Sequence, residues 1–172
     1  MAVKPIVQHP NKYLRKISTE VKDFKDANNL AKDLSDTLES SKIPGVGLSA
    51  PQIGVNLRMF VVRKFIETLK GESFVEYTVI NPKVVNKSSK KDRSLEACLS
   101  IGDTFGYVNR NRQITIEYTD LNGNKQTLSG SKLLSYAIQH EIDHLDGVLF
   151  IDKTVDKKTY TEKQIGKILP GD

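Results

Sequence analysis

The segment from residue 140 to residue 144 has the residue types and the spacing of a metal site. It reads His140-Glu141-Ile142-Asp143-His144, which is the H-E-x-x-H pattern. On a helix, two histidines four positions apart lie one turn apart and can bind one metal ion, with the glutamate beside an attacking water. Alternatively, both histidines are merely tolerated on the helix. They continue its apolar stripe, however, where unligated imidazoles would each need a hydrogen-bond partner. The pattern therefore favours a metal centre.

A catalytic metal needs a third protein ligand and an open position for water. The longer pattern H-E-x-x-H-x-x-G-x-x-H fails, because Phe150 stands where its last histidine would be. The remaining candidates are Glu162, in the lysine-rich C-terminal segment, and Cys98, the single cysteine of the chain. A lone cysteine is often a small buried apolar residue, so these residues alone leave the choice open.

Apolar periodicity predicts the elements that must position these residues. We expect a helix over 26–42, a glycine- and proline-rich loop over 45–54, and strands over 57–62, 75–81 and 114–118. Asn122-Gly123 predicts a hairpin turn into a strand over 125–128. A second helix is expected after an N-cap at Ser129 or Ser131, ending at Gly147. The segment 86–91 is expected to be disordered. Antiparallel strands between helices indicate an α+β fold.

Composition limits the class of protein. The chain has 172 residues, of which 38% are hydrophobic, so we expect a single catalytic domain over 1–172. No apolar run approaches the roughly 18 residues that span a bilayer. A single cysteine cannot form an intramolecular disulfide. We therefore expect a cytoplasmic protein that is neither inserted into a membrane nor secreted by the classical route.

The chain carries a net charge of +5, a mild positive field that is compatible with acidic surroundings such as ribosomal RNA. Its most basic segment, 83–93, contains no aromatic residue that could stack on a base. We expect this segment to be a solvated loop rather than a nucleic-acid contact, and we expect no specific binding to DNA.

Three separated motifs can be compared with known families. They read Gly45-Val-Gly-Leu-Ser-Ala-Pro-Gln52, Glu96-Ala-Cys-Leu-Ser100 and Gln139-His-Glu-Ile-Asp-His-Leu-Asp-Gly147. Together, in this order and at this spacing, they resemble the motifs of the peptide deformylase family. Pro10, Leu14-Arg15 and Arg110 extend the resemblance, which covers about residues 5–152. The resemblance implies small antiparallel β-sheets packed around a central C-terminal helix that carries the H-E-x-x-H motif.

The resemblance also implies an activity. Such an enzyme is a metal-dependent hydrolase that removes the formyl group from the N-terminal formylmethionine of new proteins and releases formate. By resemblance, Cys98, His140 and His144 are the metal ligands, and Glu141 is the general base and acid. The Gln52 side chain and the Leu99 N–H would stabilise the oxyanion.

A further set of residues is expected, by the same resemblance, to bind the substrate. The segment 45–47 would receive the nascent peptide as an added strand. The methionine side chain would occupy an apolar pocket. The expected substrate-binding residues are Gly45, Val46, Gly47, Ala97, Leu133, Tyr136 and Ala137, with Val46, Leu133, Tyr136 and Ala137 forming the pocket.

The resemblance implies one divalent metal ion per chain, Fe²⁺ in the native enzyme, which Zn²⁺, Ni²⁺ or Co²⁺ can replace. The expected partners are N-formylmethionyl nascent peptides, with a transient ribosome contact. Two alternatives remain open. One is a small zincin-type metallopeptidase with Glu162 as third ligand. The other is a deformylase-like protein that has lost turnover and binds ribosomes or peptide N-termini.

Two positions depart from the family motifs. Ser49 replaces the first alanine of Ala-Ala-Pro-Gln, a change of one hydroxyl that we expect to be tolerated. Ala97 replaces the glycine of Glu-Gly-Cys-Leu-Ser. If the φ angle of Ala97 were positive, its Cβ would cost about 1 kcal/mol or more, and its methyl group could narrow the peptide groove. The motif position of Glu96 also predicts an ion pair with Arg110 behind the metal site.

Overall fold

The computed structural model describes residues 3–41, 45–68 and 71–168. Its helices are α1 (Ala27–Glu39), α2 (Leu133–Leu145) and α3 (Glu162–Ile168). Its strands are β1 (Gly47–Ser49), β2 (Met59–Thr68), β3 (Gly71–Lys87), β4 (Lys91–Ala97), β5 (Phe105–Asn111), β6 (Gln113–Thr119) and β7 (Lys125–Ser131). Short 3₁₀ turns lie at Lys12–Arg15, Ala50–Ile53, Phe150–Asp152 and Val155–Lys157. The predicted α+β class is confirmed.

The strands form two antiparallel sheets around α2. The larger sheet has the order β1-β2-β3-β6-β7, and the smaller one pairs β4 with β5. Helix α2 contacts strands of both sheets, including β7, β1, β2 and β5. The expected arrangement of small sheets around a central helix is therefore confirmed. The strands β1 and β4 are each at the edge of their sheet, which leaves one side of each strand without a strand partner among the described residues.

Strand β2 separates two apolar cores. Successive side chains of a strand point to opposite faces of the sheet. Met59 and Val61 therefore pack against the apolar stripe of α1, whose buried members are Ala27, Ala31, Leu34 and Leu38. Phe60 and Val62 face the other way and pack against α2, through Leu134, Ile138 and Leu145. This packing fixes α2, and the H-E-x-x-H motif with it, against the larger sheet.

The ends of α2 differ in how well the sequence predicts them. The prediction of an N-cap at Ser129 or Ser131 is wrong, because both serines lie in β7. The helix instead begins after Lys132, whose φ of 50° is left-handed. The predicted stop is confirmed: Gly147 has a φ of 71°, directly after the C-cap residue. A Cβ atom on Gly147 would lie 2.5 Å from the Arg15 carbonyl oxygen, so the close approach also requires glycine.

Several segments are more ordered than the sequence suggests. The loop expected over 45–54 contains β1 and a 3₁₀ turn. The prediction of disorder over 86–91 is wrong, because β3 reaches Lys87 and β4 begins at Lys91. Between these strands, Ser88 forms hydrogen bonds with Lys90, Asn111 and Gln113. Strands β4 and β5 were not predicted. The segment 65–73 continues the β2–β3 hairpin, apart from residues 69 and 70, which lie outside the described residues.

None of the helices described has the length and apolar character that a membrane crossing requires.

Candidate active site

Cys98, His140 and His144 converge on one point. Their potential ligand atoms all lie within 4.8 Å of one another, and this is the one such cluster in the part of the chain that the structure describes. The two histidines lie one turn apart on α2, and Cys98 directly follows β4. The Cys98 Sγ atom is 3.2 Å from His144 Nε2. The fold therefore brings together the two candidate ligands of the H-E-x-x-H motif and the single cysteine.

Glu162, the alternative third ligand, is not part of this cluster. It is the first residue of α3 and is exposed, and its backbone N–H donates to Asp103 at 2.7 Å. The geometry does not support the zincin-type ligand set.

A buried network of charges lies behind the cluster. Arg110 donates to both carboxylate oxygens of Glu96, at 2.7 and 2.9 Å, which confirms the predicted ion pair. Arg110 also donates to Asp143 at 2.6 Å, and Lys153 donates to the other oxygen of Asp143. Burial alone would raise the pKa of Glu96, but hydrogen bonds from Arg110 and His140 lower it to about 2. Glu96 therefore stays ionised and holds the network together.

This network orients His140. The Nδ1 atom of His140 lies 2.9 Å from a carboxylate oxygen of Glu96, which has no proton to donate when ionised. Nδ1 therefore carries a proton, and in the neutral imidazole Nε2 then keeps its lone pair for another partner. A carboxylate on the far nitrogen is the usual way in which proteins fix the tautomer and the ring orientation of a ligating histidine.

Glu141 is a buried carboxyl group, 3% exposed, beside the cluster. Burial raises its pKa to about 7, opposed by the nearby charge of His140 and by the Ser49 hydroxyl. The Glu141 Oε2 atom has no hydrogen-bond partner among the described residues. Strand β1 passes so close that a Cβ atom on Gly47 would lie 2.8 Å from Glu141 Oε1, so only glycine fits there without a shift.

Gln52 lies on the 3₁₀ turn after β1 and is also buried. Its Oε1 atom accepts hydrogen bonds from the backbone N–H and the hydroxyl of Ser49, at 2.9 and 2.8 Å. Its Nε2 group faces Cys98 Sγ at 3.5 Å and Ser100 Oγ at 3.3 Å. The amide thus presents its N–H groups toward the cluster. Leu99 follows Cys98, and its carbonyl accepts a hydrogen bond from Gln8 at 3.0 Å.

Gln52, Cys98, Leu99, His140 and Glu141 line a cavity of about 540 Å³. It lies between the edge strands β1 and β4 and the N-terminal half of α2. Except for His144, which is buried next to Cys98, every residue that the sequence analysis assigned to the site lies on its wall: Gly45, Val46, Gly47, Gln52, Ala97, Cys98, Leu99, Leu133, Tyr136, Ala137, His140 and Glu141. Ala97 belongs to β4 and has no positive φ, so the backbone strain considered for it does not arise.

The cavity wall also includes residues that were not expected from the sequence. Ser94 and Leu95 lie on β4, and Phe105 begins β5. Charged residues at 91–93 obscured the pattern of β4, from which Ser94 and Leu95 could have been found. Tyr136 was expected in the site, but its hydrogen bond with β4 was not. The Tyr136 hydroxyl donates to the carboxylate of Asp92 on that strand. Burial and this hydrogen bond raise the pKa of Tyr136 to about 12. The same contact connects α2 to β4.

Comparisons with known proteins agree with this geometry. The model of the polypeptide deformylase family matches residues 3–160. A peptide deformylase of Pelagibacter ubique is 42% identical over 170 residues, covering 98% of this chain and 96% of the relative. The structure is similar to a peptide deformylase from Ehrlichia chaffeensis in complex with actinonin, with a TM-score of 0.83 and 33% identity, covering 98% of this chain and 96% of the other.

A second solved structure, a class I type b peptide deformylase from Acinetobacter baumannii with bound Met-Ala-Ser, gives a TM-score of 0.80 at 25% identity and covers 88% of this chain and 98% of the other. Both the sequence and the fold thus match over most of the chain. The chain belongs to the polypeptide deformylase family, the hydrolases that remove the formyl group from the N-terminal formylmethionine of newly made proteins.

Proposed function

We propose that the residues around this cavity catalyse deformylation of N-formylmethionyl peptides through a metal centre held by Cys98, His140 and His144. The observation that carries the proposal is the convergence of these three side chains beside Glu141 and Gln52 on one cavity. The chain would act as a single catalytic domain.

The residues present fit a divalent metal ion. One thiolate and two imidazoles are a donor set that suits Zn²⁺ and other first-row divalent metals. The contact between Glu96 and His140 Nδ1 leaves Nε2 free to ligate. We propose Fe²⁺ as the native ion, with Zn²⁺, Ni²⁺ and Co²⁺ as replacements. A metal ion bound there would act as a Lewis acid and lower the pKa of an attacking water toward about 7.

Glu141 is the proposed general base. Its pKa of about 7 lies near neutral pH, where a group can both accept and return a proton. It would take a proton from the water that attacks the formyl carbon. When the C–N bond breaks, it would pass that proton to the departing amine, so the products are formate and a peptide with a free amino terminus. The unpartnered Oε2 atom is available for this transfer.

The negative charge that develops on the formyl oxygen needs hydrogen-bond donors aimed at it. We assign this role to the Gln52 Nε2 group and the Leu99 N–H. Gln52 Nε2 already faces the cluster, and Leu99 lies on the cavity wall directly after Cys98. The contacts of Ser49 with Gln52 Oε1 hold the Gln52 amide in this orientation before the substrate binds.

The substrate would bind between two edge strands. Gly45 and Val46 lead into β1, which begins at Gly47 and has an open edge where an extended peptide can add as a further strand. Val46, Leu133, Tyr136 and Ala137 offer an apolar surface for the methionine side chain, and Ala97 lies on the opposite wall. The Met-Ala-Ser tripeptide bound to the Acinetobacter baumannii relative supports this substrate class.

The proposal also includes a location in the cell and a transient contact with the ribosome. A substrate that appears as new proteins leave the ribosome places the enzyme in the cytoplasm, near ribosomes. The net charge of +5 supports a transient contact with the acidic ribosome surface.

Formate release from formyl-Met-Ala-Ser, with and without a chelator, tests the proposed function. We expect release by the metal-loaded protein, loss of release after chelation, and recovery on addition of a divalent metal. Cleavage of an internal peptide bond instead of the formyl group would contradict the proposal. Absence of formate release from fully metal-loaded protein would contradict it as well.

A further inference from the structure

Ser49 stands where the family motif has alanine, and its side chain is fully buried beside the catalytic residues. Its hydroxyl donates to Gln52 Oε1 at 2.8 Å, and its backbone N–H donates to the same oxygen at 2.9 Å. Two donors from a single residue therefore bind one end of the Gln52 amide. Alanine at this position would retain the backbone donor and lose the hydroxyl.

The other end of the same amide faces the reaction site. Gln52 Nε2 lies 3.5 Å from Cys98 Sγ and 3.3 Å from Ser100 Oγ. A flipped amide would place its NH₂ group against the Ser49 N–H, so that two donors would face each other. The backbone therefore selects the orientation of the amide. The hydroxyl adds a second hydrogen bond, which restricts the side chain further and polarises the amide, and polarisation strengthens hydrogen bonds donated by its N–H groups.

We infer that Ser49 is a positioning residue that acts through Gln52 and strengthens its donation to the developing oxyanion. The inference rests on the proposed role of Gln52 in deformylation. It concerns the hydroxyl of Ser49 alone, because the backbone contribution is common to any residue at this position. The Ser49 hydroxyl has a single proton, and donation to Glu141, which lowers the pKa of that carboxyl group, is the alternative to donation to Gln52 Oε1. The test must therefore separate an effect through Gln52 from one through Glu141.

A double-mutant cycle makes this separation. The variants are Ser49→Ala, Gln52→Ala and the double variant, and the measurement is kcat and KM for formate release from formyl-Met-Ala-Ser. In the wild-type background we expect Ser49→Ala to lower kcat about 3- to 10-fold, the effect of one neutral hydrogen bond, with KM unchanged. In the Gln52→Ala background we expect no further effect of Ser49→Ala, because the residue through which Ser49 acts is gone.

Two more variants complete the test. Ser49→Cys is nearly the same size with a weaker donor, and we expect its kcat to fall between those of serine and alanine. Ser18→Ala removes a buried hydroxyl that has no described hydrogen-bond partner, and we expect it to leave kcat and KM unchanged. The melting temperature of each variant identifies any loss of activity that comes from unfolding.

An equal loss of kcat from Ser49→Ala in both backgrounds would overturn the inference, because Ser49 would then act through packing or through Glu141. A wild-type kcat for Ser49→Ala would overturn it too. Neither result would affect the proposed function, which is tested separately by formate release from the metal-loaded wild-type protein.

Discussion

At the scale of single residues, the proposed chemistry depends on a carboxyl group that the fold buries. Glu141 is buried beside β1, and burial raises its pKa to about 7. Glu96, which contacts His140, is buried as well, but hydrogen bonds from Arg110 and His140 lower its pKa to about 2. Two glutamates with opposite pKa shifts thus have different roles. Glu96 remains charged and fixes a histidine, whereas Glu141 can exchange a proton near neutral pH.

Replacing Glu141 with glutamine tests this division of roles. The amide keeps the shape of the side chain but cannot accept a proton from water. We expect Glu141→Gln to bind the metal normally and to lose about 10²–10⁴-fold in kcat, the usual contribution of a general base. Formate release and metal content measured on the same preparation give both quantities. A variant that retained more than about a tenth of the wild-type kcat would exclude Glu141 from this role.

At the scale of elements, the edge strand β1 must lie very close to α2. A Cβ atom on Gly47 would lie 2.8 Å from Glu141 Oε1 and 3.0 Å from the Val61 carbonyl oxygen, which is part of the backbone and cannot move freely. We expect Gly47→Ala to displace Glu141 or β1 and to lower kcat about 10- to 100-fold in a protein that still folds. Kinetics of formate release and a thermal melt measure the two effects separately.

Gly166→Ala is the matched control for this prediction. Gly166 lies in α3, has no positive φ, and a Cβ atom there would meet no described atom within 4 Å. We expect its kcat to equal that of the wild type. Equal activity of Gly47→Ala and Gly166→Ala would show that the close approach of β1 is not needed for turnover.

Buried ion pairs connect the elements β4, β5 and α2. Arg110, which is 2% exposed, lies between the carboxylates of Glu96 and Asp143. Arg110→Met would leave two buried carboxylates without this partner, and we expect the free energy of unfolding to fall by about 3–5 kcal/mol. Urea denaturation of the two proteins measures the difference. A loss below about 1 kcal/mol, typical of an exposed ion pair, would show that this network contributes little to the stability.

The sequence predicts the elements with strong periodicity and misses those without it. Helices α1 and α2 were predicted because their apolar residues recur at helical spacing. Strand β4 was missed because charged residues such as Lys91, Asp92 and Arg93 interrupt an alternating pattern. Strand β5 was missed because two of its buried positions are Gly106 and Arg110 rather than apolar residues. The structure explains the charges on β4: Asp92 accepts a hydrogen bond from Tyr136, and Arg93 stacks over Tyr107.

The candidate site was more predictable than the fold around it. Its three motifs are short and contiguous, so their residues can be identified without knowing how the chain packs. The contacts that support them are not contiguous. Ser135 and Gln139 of α2, for example, hydrogen-bond to Asn111 on β5, and Lys153 reaches Asp143 across the end of α2. Such pairs depend on tertiary packing, which no local pattern encodes.

At the scale of the whole molecule, the proposed metal centre adds a further link between the small sheet and the central helix. Cys98 follows the small sheet, and His140 and His144 belong to the central helix. A ligand that binds only the native state stabilises it, by about 2.7 kcal/mol at a free concentration 100 times Kd. We therefore expect chelation to lower the melting temperature and added metal to restore it. An unchanged melting temperature, in protein shown to have lost its metal, would contradict this prediction.

The central claim is that Cys98 completes the metal centre, and the metal content of Cys98 variants after dialysis tests it most directly. Replacing the thiolate with alanine leaves two neutral imidazoles to hold a dication, whereas Cys98→Asp restores an anionic ligand. We predict that Cys98→Ala loses the metal and formate release together, and that Cys98→Asp retains more metal than Cys98→Ala. A Cys98→Ala protein that stayed fully loaded and still released formate would contradict the account.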